Sequence, residues 1–144
     1  MAKTYKQLKW SDVKEGQDVP TISLDMTFSR VLLSAVSTID YFPGHHDDKY
    51  AKGQGQETIY LNTMTYWGFI DRAITDWAGP ATFITRRKFS MLKSVYAGDK
   101  MYAKGKVTRV YNDDMGRSVV DINLEIGTQR GVCFPAEVTA MLPN

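Results

Sequence analysis

At 144 residues, with 43% apolar and 24% charged side chains, the chain has the composition of an ordinary globular protein, long enough to bury a core without disulfide or metal staples. Eighteen basic residues against sixteen acidic ones leave a formal charge of +2 with no long like-charged run, which gives nucleic-acid or membrane-surface binding no compositional support. The start, MAKTYKQLKWSDVKEGQ, lacks the apolar core of a signal peptide, no apolar run reaches membrane-spanning length, and Cys133 is the only cysteine, so the expectation is a cytoplasmic chain with no intrachain disulfide and no thiolate metal cluster.

Residues 1–20 read as a polar leader to a single domain over 1–144, since no repeat, low-complexity segment or linker divides the chain. ISLDMTF (22–28) alternates as a short strand, and SRVLLSAVSTI (29–39) follows as a short helix with Ser29 as its N-cap. AKGQGQET (51–58) is too rich in Gly and Gln for regular structure. From Ile59 the period lengthens: Leu61, Met64, Trp67, Ile70, Ile74 and Trp77 recur every three or four residues until Gly79-Pro80, predicting a helix of about five turns with one broad apolar side. Beyond it the period falls to two. ATFIT (81–85), KFSMLKSVY (88–96), MYAKGKVTRVY (101–111), SVVDINLEI (118–126) and VCFPAEVTAML (132–142) read as strands, with AGDK, NDDMGR and TQRG as turns, and Cys133 as a small apolar residue within a strand. An antiparallel meander is the simple pairing. The architecture that satisfies these elements is α+β: a curved antiparallel sheet wrapped around one long central helix, the hot-dog fold. A cone of several N-terminal helices against a sheet would need more helical sequence before the strands.

Both histidines lie in DYFPGHHDD (40–48). The Pro-Gly turn can bring Asp40 back toward His45, and such a pair can hold and polarise a water between an imidazole that titrates near neutrality and a partly desolvated carboxylate. A solvated turn, in which Asp47 and Asp48 cap the next segment of chain, explains the same residues. A metal site is the third reading, and it lacks a further histidine or cysteine at ligand spacing.

A strand, a short helix, an Asp-x-x-x-x-His turn ending in His-x-Asp, a long apolar helix and strands joined by a Gly98-Asp99 turn resemble the MaoC-like hot-dog hydratases and dehydratases. DYFPGHHD matches the family stretch D-x-N-P-I-H-x-D at Asp40, Pro43, His45 and Asp47. The longer run through TDWAGP (75–80) is similar to the small subunits of actinobacterial steroid side-chain enoyl-CoA hydratases, and the resemblance extends from Ile22 to the C-terminal strand. It implies (R)-specific, reversible addition of water to a trans-2-enoyl-CoA, with CoA as part of the substrate and neither cofactor nor metal. It also implies Asp40 as general base, His45 orienting the water and relaying a proton, and backbone N–H groups of Asn62 and Thr63 as oxyanion donors. The family has His-Gly where this chain has Leu61-Asn62. His46 is expected as a neighbour of His45 with no catalytic part.

Tyr66 and Trp67 are expected to wall the acyl tunnel, and Arg86, Arg87 and Lys88 to meet CoA phosphates. The partner implied is a second hot-dog chain, either a copy or a longer companion. Two other readings share the fold: a thioesterase working through Asp71 or Asp76 on the long helix, and a non-catalytic subunit of a heteromeric hydratase.

Overall fold

The computed structural model describes residues 6–144, and its frame is a six-stranded antiparallel sheet. Strong alternation gives its centre: β3 (Lys100–Asn112) and β4 (Ser118–Thr128) form a hairpin in which Val107 faces Ile122. Asp113 closes that turn by accepting from the N–H groups of Met115 and Arg117, and Gly116 takes the left-handed φ of 74° that the turn requires. Val120, Ile122, Leu124 and Ile126 of β4 are buried on the inner face, whereas Asn123 is exposed on the outer one. β6 (Ala136–Met141) lies on the other side of β4 and buries Ala136, Val138 and Ala140. The short β5 (Gly131–Val132) pairs with the end of β4.

The outer positions depart from a meander. β1 (Asp18–Asp25) pairs with β3, and β2 (Phe83–Phe89) crosses to the far side and pairs with β6, giving the order β1-β3-β4-β6-β2. Both are edge strands with a bulge, between Val19 and Ile22 in β1 and between Ile84 and Arg86 in β2. Pro20, with no N–H to donate, sits in the first of them. β1 thus starts earlier than the alternation at 22–28 suggests and ends before Met26. The segments 81–85 and 88–96 contribute one strand. Residues 90–93 turn away and bond to the irregular Cys133–Pro135 stretch, and Cys133 is buried beyond the end of β5.

The hot-dog layout follows from how the sheet meets α3 (Thr63–Ala78). Tyr66, Phe69, Ile70, Ala73, Ile74 and Ala78 are buried at spacings of three and four and join the sheet's inner residues in one core. Each fully buried Ile or Phe contributes about 1.5–3 kcal/mol. The buried stripe lies beside the expected one. Met64 is exposed, Trp67 and Trp77 are half-buried, and Leu61 precedes the helix. α1 (Phe28–Ser37) begins two residues earlier than a Ser29 cap implies and is capped by the Thr27 hydroxyl, which accepts from the Arg30 N–H. Only Val31 and Ala35 of it are buried; Phe28, Leu33 and Val36 face outward. α2 (Asp48–Gly53) takes in the first residues of the stretch expected to be irregular, with Asp47 as N-cap.

Residues 6–17, within the segment read as a leader, are tied into the fold. Leu8 N–H donates to the Ala78 carbonyl at 2.9 Å, and the Trp10 backbone and indole N–H groups donate to Pro143 and Val119 carbonyls. Among the described residues no helix is long and apolar enough to cross a membrane.

Candidate active site

Asp40 is delivered by the end of α1. Thr38 is the C-cap, Ile39 takes a left-handed φ of 55°, and the next two N–H groups turn back: Ile39 to the Val36 carbonyl at 3.2 Å and Asp40 to the Ala35 carbonyl at 2.9 Å. This double closure is a Schellman turn, with isoleucine where glycine is usual. A β-branched residue in that region is an outlier costing of order 1–2 kcal/mol, and Ile39 obtains nothing from burial because its side chain is 74% exposed. Asp40 Oδ1 then accepts from the Phe42 N–H. Pro43–His45 forms a single 3-10 turn. Gly44 is required there by contact: a Cβ would lie 2.6 Å from the Tyr60 hydroxyl oxygen.

The turn places His45 with only 8% of its surface exposed, edge-on between the rings of Phe42 and Tyr60. His45 Nδ1 is 2.7 Å from the Tyr60 carbonyl oxygen. A carbonyl only accepts, so Nδ1 carries the proton and Nε2 is the nitrogen left to face the site. Nε2 stands 3.5 Å from Asp40 Oδ2, too long for a good direct hydrogen bond and suited to one water bonded to both. The Tyr60 carbonyl is itself held. Tyr60 bridges to Tyr96, with Leu61 N–H on the Val95 carbonyl and Ala97 N–H on the Ile59 carbonyl. That ladder ends at Asp99, fully buried, which accepts from Tyr96 N–H, Gln129 Nε2 and Arg130 Nε. The Gly98-Asp99 turn is therefore a structural anchor for the histidine.

Beside His45 the chain enters α3. Asn62, completely buried, caps the helix through Oδ1, which accepts from Thr65 N–H at 3.1 Å; among the described residues the backbone N–H groups of Asn62 and Thr63 donate to no partner. They stand at the positive end of a 16-residue helix, where developing negative charge is stabilised. A cleft of about 240 Å³ opens here, lined by His45, Tyr60, Leu61, Thr63, Tyr66 and residues 91–94. The Asn62 side chain is turned away from it, so Asn in place of Gly does not fill the approach. Tyr66 closes the inner wall: its oxygen accepts from Val95 N–H, and burial pushes its hydroxyl up to about 12, leaving a neutral phenol.

The other expected binding residues lie elsewhere. Trp67, Arg86 and Arg87 line a separate groove between α3 and β2, of about 830 Å³, where Arg87 stacks 5.0 Å above the Trp67 ring and pairs with Asp71. Arg86 approaches Glu137 at 3.9 Å, and Lys88 lines a third depression. His46 is exposed. The two helical carboxylates that a thioesterase would use are both ion-paired, Asp71 with Arg87 and Asp76 with Arg72. Lys93, which no sequence signal marks, lines the His45 cleft, its ammonium 3.0 Å from the Arg130 carbonyl. Nor does any signal mark Tyr60, whose part is played by a carbonyl that every residue type carries.

No family model matches the sequence. Over 102 residues the chain is 35% identical to the 3-oxo-4,17-pregnadiene-20-carboxyl-CoA hydratase beta subunit of Mycobacterium tuberculosis, covering 69% of this chain and 77% of that one. The crystal structure of the ChsH1-ChsH2 complex from Mycobacterium tuberculosis superposes with a TM-score of 0.83 at 27% identity, over 90% of this chain and 98% of that chain. A MaoC-like dehydratase from Rhodospirillum rubrum shares the fold, with a TM-score of 0.82 at 15% identity over 95% and 97% of the two chains. With its hot-dog sheet, its Asp40–His45 turn at the mouth of α3 and a hydratase subunit as a relative over most of both lengths, the chain belongs to the MaoC-like hot-dog family of enoyl-CoA hydratases and dehydratases.

Proposed function

We propose that this chain catalyses reversible hydration of trans-2-enoyl-CoA thioesters to (R)-3-hydroxyacyl-CoA, with Asp40 and His45 as its catalytic pair. The observation that carries the reading is the orientation of His45: Nδ1 is committed to the Tyr60 carbonyl, and Nε2 stands 3.5 Å from Asp40 Oδ2, where one water beside the pair can bond to both. With one proton resident on the pair, the Asp40 carboxylate removes a proton from the bound water as its oxygen bonds to C3. His45 Nε2–H gives its proton to C2, and transfer from Asp40 to Nε2 restores the starting state. Charge that builds on the thioester oxygen meets the Asn62 and Thr63 N–H groups. Atoms balance without an external oxidant or reductant, so the reaction calls for no redox cofactor, and CoA arrives with the substrate.

The acyl group we propose is bulky and steroid-like, on the strength of the 35% identity to a pregnadiene-carboxyl-CoA hydratase subunit. At about 240 Å³ the cleft is smaller than the 300–1,000 Å³ of ordinary ligand pockets. A second hot-dog subunit completing it is the natural counterpart, and the exposed Met91 and Leu92, which line the cleft, supply apolar surface for one. The setting we propose is the cytoplasm. Thioester cleavage is the weaker reading because Asp71 and Asp76 are both neutralised by arginines.

The test is loss of conjugated enoyl absorbance with a short and a ring-bearing trans-2-enoyl-CoA, for wild type and Asp40→Asn, alone and with the companion subunit. Hydration that falls about a hundred- to ten-thousandfold in the variant is the expected result. Equal rates in the two proteins, or free thiol released in place of hydration, would sink the reading.

A further inference from the structure

The two chemical elements of the site come from different helices: Asp40, beside His45 and outside the cleft's own lining, from the end of α1, and the unpartnered N–H groups from the start of α3. One side chain touches both. Asn62 Oδ1 accepts from the Thr65 N–H and, at 2.6 Å, from the Thr65 hydroxyl, while its Nδ2 donates to the Thr38 hydroxyl. Thr38 cannot swing away, because its own hydrogen is given to the Ser34 carbonyl at 2.8 Å, which leaves oxygen lone pairs for Asn62. From Thr38 the chain reaches Asp40 through one residue, Ile39, whose left-handed turn is closed by two backbone hydrogen bonds. The path from the cap of α3 to the carboxylate is short and hydrogen-bonded throughout.

The conjugated enoyl thioester is planar and stiff, so the span from C3, where oxygen attacks, to the thioester oxygen, where charge collects, is set by the substrate. The protein must hold its two edges at a matching span, and displacement by about 1 Å at such a site costs on the order of a hundredfold. We infer that the Asn62 side chain is a positioning residue, a clamp through Thr38 that fixes Asp40 relative to the N–H groups opening α3. The inference rests on the hydratase reading above and deepens it. A side chain that only caps the helix would need Oδ1 alone; the donor half, aimed at another helix and buried from water, has no capping use.

The experiment compares wild type, Thr38→Val, Asn62→Ser, their double variant and Asp40→Asn in whichever assembly the wild-type chain hydrates trans-2-butenoyl-CoA. Valine keeps the shape of threonine and removes the acceptor; serine keeps a capping oxygen and removes the donor. The clamp predicts kcat lower by about ten- to a hundredfold in each single variant with KM within about threefold, and a double variant no worse than the poorer single, because both lose one shared contact. Lost capping alone would lower the melting midpoint and leave kcat of the folded enzyme unchanged. Retention of kcat within twofold in Thr38→Val, or losses that multiply in the double variant, would overturn the clamp, and Thr38→Val decides alone should Asn62→Ser not fold. Hydration undiminished in Asp40→Asn would overturn the hydratase reading itself, so the two failures are distinct.

Discussion

The two ends of α3 meet the same physical problem and treat it oppositely. At the C-terminal end the closing groups are taken up by the chain's own side chains and backbone. The Ala78 carbonyl accepts from Leu8 N–H and from Gln7 Nε2 at 2.7 Å, Gln7 Oε1 accepts from Ala81 N–H, and Gly79 donates to the Thr75 carbonyl. At the N-terminal end Asn62 satisfies the Thr65 N–H, while its own N–H and that of Thr63 donate to no partner among the described residues, and Thr63 lines the cleft beside His45. Unsatisfied N–H groups cost free energy when buried, and of these two residues Thr63 lines the cleft. Stability and chemistry are thus divided along one helix.

That division is open to attack from either end. The largest effect expected is the catalytic loss in Asp40→Asn, which should leave the melting midpoint within a few degrees of wild type; a variant that unfolds would mean that the carboxylate is structural. Next comes Gly79→Ala. Gly79 has φ 101° and ψ 170°, a region reserved for glycine, and a Cβ would stand 2.8 Å from the Gln7 Cα. Loss of about 1–3 kcal/mol in denaturant unfolding is expected, with kcat of the folded enzyme unaltered. Gln7→Ala, which removes three hydrogen bonds at the same end, should cost about 1–2 kcal/mol and likewise spare kcat. Smallest is Ile39→Gly at the catalytic end, expected to raise stability by up to about 1 kcal/mol as the left-handed strain is relieved. A drop in kcat in that variant would show that the stiffness of Ile39 serves the aim of Asp40.

How much of this is legible in the sequence depends on how local each cause is. The β3–β4 hairpin can be read because alternation and turn residues sit together along the chain. β2 is misjudged because its partner, β6, lies some fifty residues on, and nothing local says that the chain crosses over the sheet. The N-cap of α1 reads as Ser29, although Thr27 makes the capping bond, because Phe28 continues the alternation of Ile22, Leu24 and Met26 and so reads as the end of the strand. Within the site, Asp40 and His45 stand out as a short motif of titratable residues around a Pro-Gly turn. The Tyr60 carbonyl and the second use of Asn62 do not. One is a backbone group, and the other depends on a hydroxyl 24 positions away. Of Arg86-Arg87-Lys88, on a bulged edge strand, the two arginines line the groove beside Trp67 and Lys88 lines a separate depression, a separation that spacing along the chain does not reveal.

The ties that Trp10 makes bear on the order in which the chain can fold. Its indole donates to a carbonyl 109 positions away, its backbone to Pro143, and β1 just after it pairs only with β3. None of these bonds can form on a nascent chain until the distant partner segments, from Lys100 to Pro143, have been made. The β3–β4–β6 unit, with short connections, can assemble first, and the N-terminal strap closes over a sheet already in place. Such late, long-range closure puts folding in the milliseconds-to-seconds range typical of high contact order. Until it is complete, the outer edge of β3 lies open, so the passage from synthesis to docking is when this chain is most exposed to pairing with the wrong strand.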